Sequence, residues 1–214
     1  MALRGDDFVK ICDLSKGVSE SKLFVAVAWV FMLRAHSEAS GLIRVSDNDR
    51  ALDPFLPPAH PAVVGCVSEE VIRLERRKNR PRGDFIRRGC VCTTKLASSN
   101  HCYGVCCPVC VLWAVIKRKV AVGKNLFGDG VSKRAEIWLQ QALTEKGVDR
   151  ADRFTLHSLR RGAAREMVRK GGTAADLCVA GSWGTEKALR RYLDIQEIES
   201  SVVKKFMGES SYHR

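Results

Sequence analysis

The longest apolar run in the chain is Leu23 to Leu33, eleven residues without a charged side chain. A helix that crosses a bilayer needs about 20 predominantly apolar residues, so this run is too short to span a membrane. A helix that is apolar on all sides is typical of a protein interior. The run therefore predicts a buried helix at the end of a helical stretch over residues 6–33, and we expect no membrane partner.

Outside this run, the hydrophobic spacing is mainly helical, with a few strand-like pieces before residue 92. Two of these pieces are joined by the turn-rich residues 79–83, which predicts a small antiparallel sheet near the N-terminal third of the chain. The sequence thus predicts an α+β fold that is mainly α. The predicted strands cover residues 62–67, 71–76 and 84–91, a loop covers 44–61, and the predicted helices cover 111–121, 133–146, 158–170, 174–180, a stretch from about 185 that carries Tyr192, and 200–207.

The charge balance indicates a polyanionic partner. Lys and Arg total 36 against 24 Asp and Glu, a formal net charge of +12. A basic surface gains free energy on a nucleic acid because it releases condensed counterions, although an anionic membrane, a ribosome or a plain solvated surface would also fit. The N-terminus lacks the pattern of a signal peptide, so we expect an intracellular protein.

One group of residues near the C-terminus carries more information than the composition. His157 and Arg160 form a His-x-x-Arg element, Trp183 follows His157 by 26 positions, and Tyr192 follows Trp183 by nine. A guanidinium can grip two phosphate oxygens at once, and an indole can donate one N–H. An imidazole can move a proton at neutral pH, and a phenol can act as a nucleophile. Covalent cleavage of a phosphodiester needs groups of these kinds.

Each of these residues also has an ordinary structural interpretation. Tyr192, spaced i+3 and i+4 from Leu189 and Ala188, could be an aromatic side chain at the edge of the core. Trp183 could be a core residue, and His157 could cap the helix that follows it. The set in this order, rather than any single member, favours a catalytic site.

This order and spacing resemble the tyrosine recombinase (phage integrase) family, whose catalytic domain carries an Arg, a Lys on a β-hairpin, a His-x-x-Arg, a His or Trp, and a Tyr nucleophile. The resemblance implies a single helical catalytic domain over residues 1–214, with its core at about 6–207. Such recombinases usually carry a separate N-terminal DNA-clamping domain, but only 33 residues precede Arg34, so we expect that domain to be absent here. In this family pattern Tyr192 attacks DNA, Arg160 and Trp183 hold the phosphate, and His157 transfers protons.

Upstream, the resemblance assigns further residues. Arg34 matches the first arginine of the family, although the family commonly places a Glu three positions later and Glu38 here is four positions later. Arg44 is the second choice, and a solvated Arg34 at a helix C-terminus is the structural alternative. Lys78, on the predicted hairpin, matches the lysine that protonates the departing 5′ oxygen. The residues expected to bind DNA are Arg76, Arg77, Arg80, Arg82 and Arg161.

By the same resemblance, the chain would recombine or integrate DNA at specific sites through a 3′-phosphotyrosine, without a metal or cofactor. Its partners would be double-stranded DNA and further copies in a homo-tetramer, with residues 200–207 docking into a neighbour. Trp183 and the cysteine-rich insertion resemble eukaryotic mobile-element recombinases, which would imply a nuclear location. The alternatives are a type IB topoisomerase, an inactive DNA-binding remnant of a mobile element and, on the cysteines alone, a zinc-dependent interaction module.

Residues 90–110 form the cysteine-rich insertion and hold most of the nine cysteines. Cys107 and Cys110 have the two-residue gap of zinc knuckles. Cys90 and Cys102, or alternatively Cys92 or His101, could complete a tetrahedral site. The second half of a typical zinc finger is absent, however, and cysteine is a common small buried residue. The sequence therefore favours unmetallated thiols, with a structural zinc as the alternative.

Overall fold

The structure is a computed structural model, and it describes residues 1–12, 17–43, 69–74, 84–89, 123–190 and 192–193. These ranges contain a mainly helical fold with one small sheet, which confirms the predicted fold class. The predicted loop at 44–61, strand at 62–67 and helices at 111–121 and 200–207 lie outside them. The helices are α1 (Gly5–Ile11), α2 (Glu20–Val30), α3 (Val131–Glu145), α4 (Leu156–Arg169), α5 (Ala174–Gly181) and α6 (Glu186–Arg190), and the strands are β1 (Leu42–Ile43), β2 (Glu69–Leu74) and β3 (Asp84–Gly89).

Helix α2 is the buried helix that the apolar run predicts. Every residue from Leu23 to Trp29 is buried, and α3 and α4 both pack against the helix. Ser19 sets its start, because Ser19 Oγ accepts the backbone N–H of Lys22 at 3.2 Å. This bond gives a partner to one of the N–H groups that have none within the first turn of a helix.

The predicted continuous helix over residues 6–33 is wrong in its middle and at its end. α1 stops at Ile11 and α2 begins only at Glu20. Gly17, between them, takes φ +113°, a conformation that glycine reaches without a steric penalty. α2 ends at Val30, and Met32 takes φ +50°. The apolar run extends past the helix because the residues after Val30 turn back into the core and stay buried.

Helices α3 and α4 complete the core around α2. α3 buries Ala135, Leu139 and Leu143 at the spacing that the sequence predicts. α4 lies so close to α2 that a side chain at Gly162 would collide with the ring of Trp29. Glycine at this position therefore lets the helix that carries the His-x-x-Arg element lie directly on the core.

The three strands form one antiparallel sheet in the order β1–β2–β3, which confirms a small antiparallel sheet. β2 and β3 correspond to the predicted strands at 71–76 and 84–91, whereas β1 was not predicted. In the pairing of β2 with β3, Ile72 lies opposite Ile86. Both side chains are buried, as is that of Leu74. One face of the sheet therefore packs on the helical core, and β3 returns from the predicted hairpin toward the end of α2.

The C-terminal helices have well-defined boundaries. Thr173 caps α5, since its Oγ1 accepts the Asp176 N–H at 3.1 Å and Asp176 Oδ2 accepts the Thr173 N–H at 2.8 Å. α4 stops before Gly171, which takes φ +89°. The sequence predicted that Tyr192 lies within a helix, but the residue lies in the turn after α6. None of the helices in the described ranges combines the length and the apolar content that crossing a membrane requires.

Candidate active site

His157 and Arg160 lie on the first turn of α4, in different environments. The helix starts at Thr155, the N-cap, whose N–H donates to Ser158 Oγ at 3.1 Å. The interpretation of His157 as the cap of this helix is therefore wrong. His157 is exposed, whereas Arg160, three residues later, is only 1% exposed.

The Arg160 guanidinium bridges two helix ends and a buried carboxylate. Its Nη1 donates to the carbonyl oxygen of Met32, just after α2, at 2.6 Å, and its Nη2 donates to that of Gly181, at the end of α5, at 2.7 Å. Nη1 also lies 3.3 Å from Oε2 of Glu38, which is 2% exposed. A buried guanidinium requires a partner charge and good hydrogen bonds, and Glu38 provides that charge.

Glu38 connects Arg34 to Arg160 despite its unusual spacing. The Glu38 N–H donates to the Arg34 carbonyl at 2.7 Å, and the Glu38 Oε2 accepts the Arg34 backbone N–H at 2.9 Å. These reciprocal bonds close residues 34–38 into a turn and place Arg34 Nη1 3.6 Å from Glu38 Oε1. Arg34 is half-buried and paired, which does not fit the alternative of a fully solvated side chain.

Trp183 covers the Arg160 guanidinium, with the Arg160 Cζ 4.3 Å from the ring centroid. Ser182 brings the chain to this position through a left-handed conformation at φ +49°. Gly181 is required here because a Cβ at that position would overlap the indole. Trp183 is buried, which also fits a core residue, yet its Nε1 has no hydrogen-bond partner among the described residues. A phosphate oxygen would satisfy such a donor.

The Tyr192 ring completes the cluster. Its centroid lies 5.3 Å from that of His157 and 5.1 Å from that of Trp183, with the two aromatic rings of the latter pair meeting edge to face. The Arg160 Cζ lies 5.7 Å from the Tyr192 centroid. The ring is half-buried, as an aromatic at the edge of the core would be. The fold nevertheless brings together all four residues that the C-terminal pattern singled out.

The cationic surroundings affect the protonation of His157. Partial burial of the ring is the largest cause that lowers the pKa of His157 below its ordinary value. The positive charges of Arg161, Arg160 and Arg34 lower this pKa further. The imidazole is therefore mainly neutral at pH 7 and able to accept a proton.

The structure leaves part of the predicted site untested. Arg161 is described, half-buried and one turn after His157 on the same face of α4. Within the described part of the chain, no three His, Cys, Asp or Glu side chains are grouped as metal ligands would be. The predicted site residues outside the described ranges are Lys78, the hairpin arginines Arg76, Arg77, Arg80 and Arg82, the second-choice Arg44, and the cysteines Cys90, Cys102, Cys107 and Cys110.

One residue beside the site was missed by the sequence analysis. Arg88, on β3, donates from Nε to the Val30 carbonyl at 2.9 Å and from Nη2 to the Ala180 carbonyl at 2.5 Å. Two consecutive arginines in a strand, Arg87 and Arg88, predict only a charged sheet surface. Nothing in the local pattern indicates that the second side chain turns toward the helix ends.

Comparison with known proteins finds similar solved structures but no similar sequence family or curated protein. No protein-family model matches the sequence, and no curated protein matches it. Two solved structures of the XerH site-specific recombinase are similar, at 12% sequence identity each. One is a post-cleavage complex with palindromic difH substrate, at a TM-score of 0.57, and the other is a pre-cleavage complex with difH substrate, at 0.55.

The alignments cover 94% of this chain and 52% or 53% of the recombinase chains, so this chain spans about half the length of the structures it matches. A likeness at such low identity establishes the fold. The chain therefore has the fold of a tyrosine recombinase catalytic domain, as the residue pattern predicted.

Proposed function

We propose that this chain is the catalytic domain of a site-specific recombinase that cleaves and rejoins DNA through a phosphotyrosine. The observation that carries the proposal is the contact of the Tyr192 ring with His157, Trp183 and the Arg160 guanidinium. The fold shared with a recombinase solved on its DNA substrate supports DNA as the partner. The net charge of +12 supports the same partner.

In the proposed reaction, the phenol oxygen of Tyr192 forms a bond to phosphorus, and the bond from phosphorus to the 5′ oxygen breaks. His157 accepts the phenol proton, and Lys78 is the expected donor of a proton to the departing 5′ oxygen. Arg160 and Arg34 stabilise the charge that grows on the non-bridging oxygens. In rejoining, a 5′ hydroxyl attacks the phosphotyrosine and the phenol leaves, so the bond energy is conserved.

DNA binding is expected to rearrange the site. Arg160 is 1% exposed, and the ring of Trp183 covers its guanidinium. A phosphate oxygen that arrives from solution can therefore reach Arg160 only after the indole turns, while the Trp183 backbone stays beside the guanidinium. We expect this movement to turn the Trp183 N–H toward the same phosphate.

The position of Glu38 bears on the alternative of an inactive remnant. The four-residue spacing from Arg34 was the sequence feature that favoured lost activity. The closed turn at residues 34–38 nevertheless carries the carboxylate to both Arg34 and Arg160. The departure in spacing is therefore compensated by local backbone geometry, and it no longer favours the remnant.

A homo-tetramer on DNA, a nuclear location in a eukaryotic host and a single domain with its core at about 6–207 stay predictions.

Strand exchange between two labelled duplexes separates the proposal from a type IB topoisomerase. A recombinase joins strands of different duplexes, whereas a topoisomerase relaxes supercoils without exchanging partners.

The decisive experiment is covalent trapping on a nicked suicide substrate built from the DNA that flanks the gene. The wild-type protein should form an adduct that survives denaturing electrophoresis, and Tyr192→Phe should form none while it binds the same DNA within about threefold, since a phenylalanine keeps the ring contacts. The chain has two other tyrosines, so Tyr103→Phe and Tyr212→Phe are matched controls that should retain the adduct. An adduct that survives in Tyr192→Phe would contradict the proposal.

A further inference from the structure

Two arginines from different elements bridge the same pair of helix ends. Arg160, on α4, connects the carbonyls of Met32 and Gly181. Arg88, on β3, connects carbonyls that lie one or two residues before these in the chain. Its Nε donates to Val30 O at 2.9 Å, and its Nη2 donates to Phe31 O at 3.3 Å and to Ala180 O at 2.5 Å.

These bridges oppose an electrostatic repulsion. The last carbonyls of a helix have no partner within the helix and carry the negative end of its dipole. The C-terminal ends of α2 and α5 meet beside the site, so their dipoles repel each other. Cations between the two ends remove that repulsion. The Arg88 guanidinium is further oriented by the ring of Phe31, whose centroid lies 5.5 Å from its Cζ.

The separation of these two helix ends fixes the geometry of the site. The chain that leaves α2 reaches Arg34 and Glu38 within eight residues, and the chain that leaves α5 reaches Trp183 within two. If the ends moved apart, Trp183 would move away from Arg34 and from the guanidinium that it covers. A misplacement of about 1 Å at a reacting group can slow a reaction about 100-fold.

We propose that Arg88 is a positioning residue that holds the ends of α2 and α5 together and thereby keeps Trp183 in place over Arg160. The proposal rests on the proposed DNA cleavage for its consequence in the reaction. When a phosphate draws the Arg160 guanidinium, its bonds to Met32 and Gly181 weaken, and the Arg88 bridge keeps the two helix ends at a fixed distance. Lysine could not replace it, because a single ammonium cannot reach carbonyls of both helices in the geometry of a planar fork.

The test uses Arg88→Lys, which keeps the charge and loses the fork, and Arg88→Gln, which keeps two amide donors and loses the charge. The matched control is Arg73→Lys, on the neighbouring strand at an exposed position. Three quantities are measured for each protein: the melting temperature, the environment of Trp183, and the single-turnover rate of adduct formation with the equilibrium Kd for the same DNA. Trp183 is followed by fluorine NMR after labelling the four tryptophans with 5-fluorotryptophan and assigning its signal with Trp183→Phe.

In Arg88→Lys that is folded at the assay temperature, the Trp183 signal should shift and the adduct rate should fall about 10- to 100-fold. The Kd should change less than about threefold, since the Arg88 guanidinium is bonded to backbone carbonyls and the phosphate contacts that dominate affinity are kept. Arg73→Lys should match the wild type in all three quantities. A rate that falls in proportion to the folded fraction alone would reflect stability, and it would overturn the proposal.

An unchanged rate in a folded Arg88 variant also overturns it, whether or not the Trp183 signal moves. If both Arg88→Lys and Arg88→Gln fail to fold at low temperature, Arg88 is a determinant of the fold and not a positioning residue. A wild-type protein that forms no adduct contradicts the proposed function instead. The fluorine signals then still decide whether Arg88 sets the position of Trp183, because that measurement needs no DNA.

Discussion

The candidate site consists of two halves that differ in burial. The buried half is the Arg160–Glu38 pair, with exposures of 1% and 2% and with hydrogen bonds to the backbone around the ends of two helices. The open half is the His157–Tyr192 pair, in which the imidazole is exposed and the phenol ring half-buried. The two rings of the open half meet only through a tilted contact at 5.3 Å.

Under the proposed function, this difference separates the residues that stabilise the fold from the residues that react with DNA. A buried charge that loses its partner destabilises a fold severely, so the buried half is fixed by stability before any substrate binds. An exposed ring contact contributes little to stability, so the open half is free to be selected for proton transfer and nucleophilic attack. Under the proposed function, folding therefore fixes where the Arg160 guanidinium is held, whereas the proposed base and nucleophile stay accessible.

Arg160→Ala should have the largest effect, because it removes a partner from the buried half. It removes the buried charge that lies 3.3 Å from the Glu38 carboxylate and leaves the half-buried Arg34 at 3.6 Å, which should lower the free energy of unfolding by about 3–5 kcal/mol. In any folded fraction, loss of the guanidinium should also raise the cleavage barrier by roughly 3–4 kcal/mol. Urea denaturation at pH 7 measures the first effect, and single-turnover adduct formation, corrected for the folded fraction, measures the second.

The comparison between the halves supplies the controls for this variant. Tyr192→Phe removes one hydroxyl from the open half and should change stability by less than about 1 kcal/mol, although it abolishes the adduct. The double variant Arg160→Met with Glu38→Gln removes both buried charges and keeps an oxygen that can accept the Arg34 N–H, so it should regain part of the lost stability. If Arg160→Ala and Tyr192→Phe are equally stable, the division into two halves is wrong.

Gly181→Ala should have an intermediate effect at the boundary between the halves. The added Cβ would overlap the indole of Trp183, and the ring would have to leave its position over Arg160. Overpacking of this kind costs about 1–3 kcal/mol, and the adduct rate should fall with the displacement of the indole. Gly41→Ala is the matched control, because a Cβ there has no neighbour within 4 Å. Denaturant melts and adduct rates of the two variants together decide whether Gly181 is needed to make room for the Trp183 indole.

The sequence predicted the open half better than the buried half. His157 and Tyr192 were singled out by their order and spacing in the tyrosine recombinase pattern, which also includes Arg160 and Trp183. The helices that carry them were predicted within a few residues, since amphipathic spacing and caps such as Thr173 are local signals. Tyr192 was placed in a helix and lies just after one, which is the usual uncertainty at a helix end.

The contacts of the buried half depend on long-range geometry that no local pattern encodes. Glu38 appeared to be one residue out of place, and only the turn that it closes with Arg34 explains how it reaches Arg160. No local sequence pattern indicated the contacts of Arg88, because its partners Val30 and Ala180 are 58 and 92 residues away in sequence. Propensity and periodicity describe each element, but they do not tell which helix ends an arginine will bridge.

The smallest expected effect is a pH dependence confined to the open half. Partial burial, followed by the charges of three arginines, lowers the pKa of His157. Between the ordinary histidine pKa of about 6.5 and the lower folded value, the unfolded chain binds a proton that the folded chain does not. The fold should therefore lose a little stability as the pH falls through this window. The adduct rate at subsaturating DNA should decline over the same range, as the imidazole gains a proton and can no longer accept one from Tyr192.

An NMR titration of the His157 ring in the DNA-free protein measures this pKa directly. Its midpoint should lie below the ordinary histidine value of about 6.5. His36, which is exposed and lies 3.4 Å from the Glu136 carboxylate, is the control position. His157→Gln should remove the decline from the rate profile, and His36→Gln should leave it in place. A His157 midpoint at or above the ordinary value would mean that the arginines do not keep the imidazole neutral, and the base would then have to be sought outside the open half.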